Sequence, residues 1–411
     1  MKITRVQSFL LSSPLQEPLH LPFYGGERVI YKRDAMLIRV EANNGLVGFA
    51  PGPGSERAQN AIQTLVRPFL EGRTLADTDA LRIQFTDAMA HGDPQLLKVY
   101  CAVEIALFDL LGKAYGVPVS EIVGGRVRDR IRLYGSAGMY MSPEQYAEEA
   151  DIVASLGFPA YKMRPGIGPD EDLRAVQLVR EALGQGLGLM VDAHTWWRMG
   201  DRSYTAQQVR ELAEAMAGLE ITWLEEPMPP EDHEAYRRLR EQDIVPLASG
   251  EHEADEKGFL DLILLNSVDY VQMDVVCQGG FTMARRIFHE IEKEGLRFAF
   301  HSWGTALEVI AAAHLGVCWP EQVVEWLEYP IYEEGVLYPF PLAAEILKSP
   351  LNIERGGELA VPREPGLGVE IDMTVVERYP WLPGPWSTFR IDSPPQTLAV
   401  TSDHSEKWND R

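Results

Sequence analysis

Seven short apolar runs between residues 160 and 328 each end on ionisable side chains. They close on Lys162-Met163-Arg164, Asp192-Ala193-His194, Glu225-Glu226-Pro227, Gly250-Glu251-His252, Met273-Asp274, Phe300-His301 and Leu327-Glu328. From Arg164 through Asp192, Glu225, Glu251, Asp274 and His301 to Glu328 the steps are 28, 33, 26, 23, 27 and 27 residues. Each step is the length of one strand, one helix and two connections, so the side chains are expected to converge on one edge. Taken singly, an Asp after a strand is most often an N-cap and a His most often a satisfied rim residue. Independent caps do not gather so many acids in one concavity, where like charges repel and would hold protons unless a cation is shared.

That grouping defines a chemistry. Asp192, Glu225 and Glu251 supply hard oxygen donors from three adjacent strands. All-oxygen ligation suits Mg²⁺, with Mn²⁺ as a second choice and Zn²⁺ a poorer one. Mg²⁺ on a substrate carboxylate lowers the energy of the enediolate formed when the neighbouring carbon loses its proton. His301 has the intrinsic basicity for that proton, and Asp274, one strand earlier, is placed to orient the imidazole. On the opposite flank Glu328, if kept protonated by the local acidity, would donate a hydrogen bond to the enediolate oxygen, with Lys162 and Arg164 as fixed positive charge.

Such a site needs a frame. From Ile131 onward, apolar runs at 131–134, 160–163, 187–191, 221–224, 244–247, 270–273, 298–300 and 323–327 alternate with amphipathic stretches of helical length. This rhythm predicts an α/β fold, a (β/α)₈ TIM-type barrel with its site at the C-terminal ends of the strands. An open doubly wound sheet is the rival, but no glycine-rich phosphate turn starts the pattern. Residues 1–125 predict an α+β capping domain, with Asn43-Asn44-Gly45 as a hairpin turn. The barrel is expected over 126–355, a return segment packing on the cap over 356–385, and a mobile tail over 386–411.

Composition narrows the partners. The 411 residues are 45% hydrophobic and 24% charged, enough for a large core. The formal charge of −23, unrelieved by any basic run, disfavours nucleic acid and anionic membrane. Cys101, Cys277 and Cys318 are too scattered for a disulfide framework or thiolate zinc site. No signal-peptide pattern and no membrane-length apolar run is present, so a cytoplasmic protein acting on a small acid is expected.

These residues resemble the enolase superfamily, specifically its mandelate racemase subgroup. Besides the strand-end set, the resemblance rests on Asp109-Leu-Leu-Gly-Lys-Ala-Tyr-Gly-Val-Pro118 with Gly124-Gly125, Asp274-Val-Val-Cys-Gln-Gly279-Gly280, and His301-Ser-Trp-Gly-Thr305. It covers nearly the whole chain. It implies an enolase-like modified barrel, Mg²⁺ on Asp192, Glu225 and Glu251, the Asp274–His301 pair as base and Glu328 as electrophilic partner. It also implies a homo-oligomer, dimer or octamer.

Two departures refine it. Arg164 stands where the racemase pattern has a second lysine, and an arginine stays protonated, which disfavours two-base racemisation. His194, two residues after the first ligand, is similar to the acid that serves the leaving hydroxide in sugar-acid dehydratase branches. The expectation is therefore a hydro-lyase acting on a hydroxy or sugar acid, aldonate or aldarate, that yields a 2-keto-3-deoxy acid. An epimerase, racemase or cycloisomerase of the same subgroup is the near alternative, and a metal-dependent barrel hydrolase the distant one. In the cap, Tyr24, Arg28 and Arg57 are expected substrate contacts, and Trp196, Trp197 and Arg198 are expected to shape the pocket.

Overall fold

A computed structural model describes residues 1–193, 204–333 and 335–392. The chain opens with two long antiparallel strands, β1 (Ile3–Phe23) and β2 (Gly26–Ala42), followed by β3 (Val47–Gly52) on the other side of β2. Gly45, at φ +84°, makes the turn anticipated at Asn-Gly. The helix Val99–Tyr115 packs on this sheet. Every residue from Val99 to Gly112 is buried, so it reads as an all-round apolar helix between two layers.

Eight parallel strands follow: β4 (Arg130–Met139), β5 (Ala160–Arg164), β6 (Gly188–Asp192), β7 (Trp223–Glu225), β8 (Leu247–Ser249), β9 (Tyr270–Met273), β10 (Arg297–Phe300) and β11 (Val324–Pro330). Each pairs with the next, and β11 pairs with β4, closing the barrel. A small antiparallel hairpin, β12 (Ile353–Glu354) and β13 (Glu358–Ala360), is added alongside β4. The last described strand, β14 (Ser387–Ile391), lies antiparallel to β2 at Gly26–Ile30. This corrects the expectation of a tail from residue 386. The alternating Ser-Thr-Phe-Arg-Ile segment has the period of a strand, and the β2 edge leaves backbone groups for it to bond.

Inside the barrel, one residue from each strand forms a floor: Tyr134, Ala160, Met190, Trp223, Ala248, Tyr270, Ala299 and Trp326. Ala160, Ala248 and Ala299 leave room for the larger Tyr134, Met190, Trp223, Tyr270 and Trp326, so that large and small side chains fill the closed barrel together. Side chains on a strand repeat their direction every second residue. Two residues beyond that floor stand Ser136, Lys162, Asp192, Glu225, Gly250, Gln272, His301 and Glu328. One pleat step therefore carries the chain from apolar floor to ionisable mouth on five of eight strands.

The seam between cap and barrel is polar. Buried Asp109 accepts from the backbone N–H of Phe49 and of Leu367 and from Lys113 Nζ, at 2.8, 2.7 and 2.6 Å. Gly366, at φ +76°, leaves room for it, since a Cβ there would lie 2.2 Å from Asp109 Oδ1. Removing that hub strands several buried groups. Asp109→Ala is expected to cost about 3 kcal/mol or more, read as a lower denaturant midpoint at unchanged m.

His314 crosses the same seam. Its Nδ1 accepts from Ser120 N at 3.4 Å and its Nε2 donates to Leu367 O at 3.0 Å, which fixes a neutral imidazole. Burial pushes its pKa down to about 4. An unfolded histidine titrates near 6.5, so between those values the unfolded chain binds the extra proton. Stability from this residue is fully present above pH 6.5 and is lost as pH falls toward 4, by about 3 kcal/mol in all. His314→Gln is expected to flatten that part of the stability–pH curve; an unchanged slope would refute the assignment.

Candidate active site

The mouth is built around two cations and four carboxylates. Lys162 Nζ lies 2.7 Å from Glu225 Oε1, 3.0 Å from Glu328 Oε1 and 3.8 Å from Asp192 Oδ2. Arg164 reaches Asp192 Oδ2 at 3.1 Å and Glu328 Oε1 at 2.8 Å, and its guanidinium stacks 4.0 Å above the Trp303 ring. Burial alone would strip charge from both cations, but Glu225 and Glu328 beside Lys162, and Glu328 and Asp192 beside Arg164, raise their pKa values. Neither is placed to give up a proton near neutrality.

Asp274 works on both sides. Its Oδ1 accepts from the N–H groups of Val276 and Cys277 at 2.8 and 3.0 Å, so it is an N-cap. Its Oδ2 lies 3.2 Å from His301 Nδ1, which turns Nε2 toward Glu251 Oε2 at 3.3 Å and Glu328 Oε2 at 3.8 Å. Burial opposes charging of His301, yet Glu251, Glu328 and Asp274 push its pKa up to about 10.

Glu328 departs from expectation. Burial would raise its carboxyl, but Lys162, His301 and Arg164 outweigh this and hold it well below the usual carboxylate range. Ser136 Oγ and the Ser302 N–H donate to it as well. It is therefore an ionised acceptor without the proton a donor role requires, because three cations meet on one side chain.

Asp192 and Glu225 are paired residues on β6 and β7. Glu251 follows Gly250, whose φ of +132° no other residue adopts easily and whose missing Cβ would strike Gln272 O at 2.3 Å. That turn brings Glu251 to the mouth. Burial pushes Asp192 up to about 7 and raises Glu225 and Glu251. An acid set held above its ordinary range by burial, with oxygen donors only, suits a hard divalent cation whose charge returns these groups to their ionised form. A second, overlapping set exists. Glu226, at φ +39°, turns away to His252 Nδ1 at 2.6 Å, and one atom each of Glu226, Glu251 and His252 lie within 4.8 Å of one another. This set includes a nitrogen, which fits a transition metal better than Mg²⁺.

A cavity of about 230 Å³ joins Glu251, Asp274 and His301 to Arg33, Asp34, the turn 51–54, Glu308 and Trp386. That is below the range of drug-sized pockets and fits a small acid. The cap residues expected at this wall sit elsewhere. Arg28 stacks on Trp386 and Phe389 and bonds Met139 Sδ, Arg57 pairs with Asp93 at 3.5 Å, and Tyr24 meets Tyr204 edge-on at 5.8 Å. Arg33, Glu308 and Trp386 had no motif of their own to announce them, and Trp303 appeared only as a member of the His301–Thr305 motif. His194, Trp196, Trp197 and Arg198 lie outside the described residues. No helix among the described residues is long and apolar enough to cross a membrane.

Comparison with known proteins gives the same outline. Residues 11–124 match the mandelate racemase / muconate lactonizing enzyme N-terminal domain, and residues 145–375 match the enolase C-terminal domain-like family. The chain is 30% identical over 387 residues to the D-galactarolactone cycloisomerase of Agrobacterium fabrum, covering 92% of this chain and 99% of that one. It is 28% identical to the D-xylonate dehydratase of Haloferax volcanii, covering 84% and 85%. Among solved structures, the 3,6-anhydro-D-galactonate cycloisomerase of Zobellia galactanivorans superposes with a TM-score of 0.79 at 27% identity, covering 92% of this chain and 99% of that one.

Proposed function

Since the chain belongs to the mandelate racemase / muconate lactonizing enzyme family of the enolase superfamily, we propose that it is a Mg²⁺-dependent dehydratase of a sugar acid. The observation that carries this reading is the Asp274–His301 pair, whose Nε2 lies 3.8 Å from Glu328, itself held by Lys162 and Arg164. Asp192, Glu225 and Glu251 would hold the metal. When bound there, it supplies the positive charge that makes a proton next to a substrate carboxylate removable.

With the Glu251 charge that otherwise helps keep His301 protonated offset by a bound cation, the neutral imidazole takes the substrate proton on Nε2, because Asp274 occupies Nδ1. The electron pair left on the α-carbon delocalises into the carboxylate, where Lys162 and Arg164 supply fixed positive charge. Its return forms the C2=C3 double bond as the C3–O bond breaks. The departing hydroxyl leaves as water, with a proton from His194 or from recharged His301, and the resulting enol becomes the 2-keto-3-deoxy acid. Purified protein with Mg²⁺, screened against aldonates and aldarates by a keto-acid assay, is expected to consume at least one. Consumption of none would overturn the proposal.

A cycloisomerase is the second reading, favoured by the 30% identity to the Agrobacterium enzyme. It shares the first proton transfer and expels a ring oxygen instead of a hydroxyl. Opening of an acid lactone without net loss of water would support it.

Arg164 separates both from racemisation. Its guanidinium keeps its proton, so exchange of the C2 hydrogen in D₂O is expected from one face only. Arg164→Lys keeps the charge but loses the double carboxylate contact and the Trp303 stack. It is expected to lower kcat/KM about 10- to 100-fold. Two-faced exchange in the wild type would show that another group serves as a second base.

A further inference from the structure

The reacting groups occupy only one side of the cavity. Arg33 of β2 also lines it, and among the described residues no acid lies within ion-pair distance of its guanidinium. Arg33 is buried, with Nη2 donating to Trp303 O and to Tyr332 Oη, and Nη1 donating to Tyr338 Oη at 3.1 Å. The rings of Trp386, Phe340, Trp303, Tyr338 and Tyr332 surround its Cζ at 5.0, 5.4, 5.7, 5.8 and 5.9 Å. All of these partners are neutral. Nε has no hydrogen-bond partner, and Arg33 forms no ion pair among the described residues.

The two acids that share this wall act on Arg33 only through space. Burial opposes its charge, Tyr332, Tyr338, Asp34 and Glu308 raise its pKa, and neither acid forms an ion pair with it. Asp34 is met by Lys32 Nζ at 3.0 Å and Ser12 Oγ at 2.7 Å. Glu308 takes the Ser302 hydroxyl and the Trp303 N–H on Oε1, at 2.9 Å each. Burial and nearby Asp274 push its carboxyl up to about 8. By contrast Lys162 and Arg164, at the reacting side, are each held between carboxylates. Trp303 stands between the two arginines, with Arg164 at 4.0 Å and Arg33 at 5.7 Å from its ring centre. A buried guanidinium without a counter-ion is costly, and a bound anion removes that cost.

We infer that Arg33 is a specificity-determining residue that receives a second carboxylate at the far end of the substrate, so that the site selects aldarates over aldonates. The inference rests on the reaction proposed above in taking the reacting carboxylate to lie at the acidic mouth. The aromatic enclosure strengthens the contact by excluding water around the charge pair. The buried Nε–H is the one donor nitrogen of Arg33 without a hydrogen-bond partner.

The test is calorimetric binding of a hexarate and the hexonate of the same configuration to the His301→Asn protein with Mg²⁺, where the ligand is not consumed. The diacid is expected to bind about 10- to 100-fold more tightly. Adding Arg33→Gln should remove that preference while leaving hexonate affinity within about threefold. Arg33→Lys, which keeps the charge in the same enclosure, should retain part of it. Equal binding of both acids to the parent protein, failure to bind either, or equal loss of both on substitution would overturn the inference and leave Arg33 a latch between cap and barrel. Selective diacid binding by a protein that turns over no acid would instead sink the dehydratase reading and keep this one.

Discussion

His301→Asn is expected to lower turnover of any substrate by about four orders of magnitude while leaving Mg²⁺ affinity within about threefold. The separation follows from geometry. His301 touches Glu251 through Nε2 at 3.3 Å but is not one of the three oxygen donors, so removing the imidazole deletes the proton acceptor without dismantling them. Asn fills much of the same volume next to Asp274, which keeps Val276 and Cys277 capped through its other oxygen. Deuterium entry at C2 should vanish together with turnover. Asp274→Asn should behave more mildly, with a loss of about 10²- to 10³-fold. The imidazole remains in that variant and loses only the acceptor that orients Nδ1. An exchange rate in His301→Asn equal to the wild type would show that another group takes the proton.

The second large effect concerns the metal. Glu225→Gln is expected to weaken Mg²⁺ binding about 100-fold or more, and Glu226→Gln less than about tenfold, both read by calorimetry on the folded protein. The neighbouring side chains face opposite ways. Glu225 points inward to Lys162 at 2.7 Å and the Trp223 indole at 2.9 Å, while Glu226 points to His252. If Glu226→Gln were the more damaging change, the ion would belong to the Glu226, Glu251 and His252 set. Loss of Lys162 alone, as Lys162→Met, should leave the ion bound and lower turnover, because the ammonium neutralises acids without ligating.

Much of the mouth was legible because a barrel strand imposes a period of two. An apolar residue on the floor, Ala160, Met190, Trp223 or Trp326, predicts the direction of Lys162, Asp192, Glu225 or Glu328 two residues on. Closure of the sheet then turns sequence spacing into spatial convergence, so Asp274 and His301 meet across adjacent strands. Charge state was not legible in the same way. A donor role for Glu328 was conditional on a retained proton, and only the meeting of Lys162, Arg164 and His301 around it shows that the condition is not met. Observed strands at β7 and β8 also begin later than their apolar runs, at Trp223 and Leu247, because ladder pairing forms nearest the mouth.

The cap's contribution was hidden for a different reason. Arg33 lies in an ordinary alternating strand, and nothing local says that its side chain reaches Trp303, some 270 residues away in the chain. Arg28, one of the residues singled out from the capping loop, is instead sandwiched against β14. Such contacts depend on how two domains dock and on the register of β14 with Gly26–Ile30, which composition and period do not encode.

The most direct measurement is proton and deuterium NMR of a reactive aldarate or aldonate incubated in D₂O with the Mg²⁺-loaded wild-type and His301→Asn proteins. The expected result is that the wild type releases water and forms a 2-keto-3-deoxy acid carrying one deuterium at C3, while the variant leaves the acid unlabelled and unchanged. Equal product formation by the two proteins, or a substrate consumed with its C2 hydrogen intact, would contradict it.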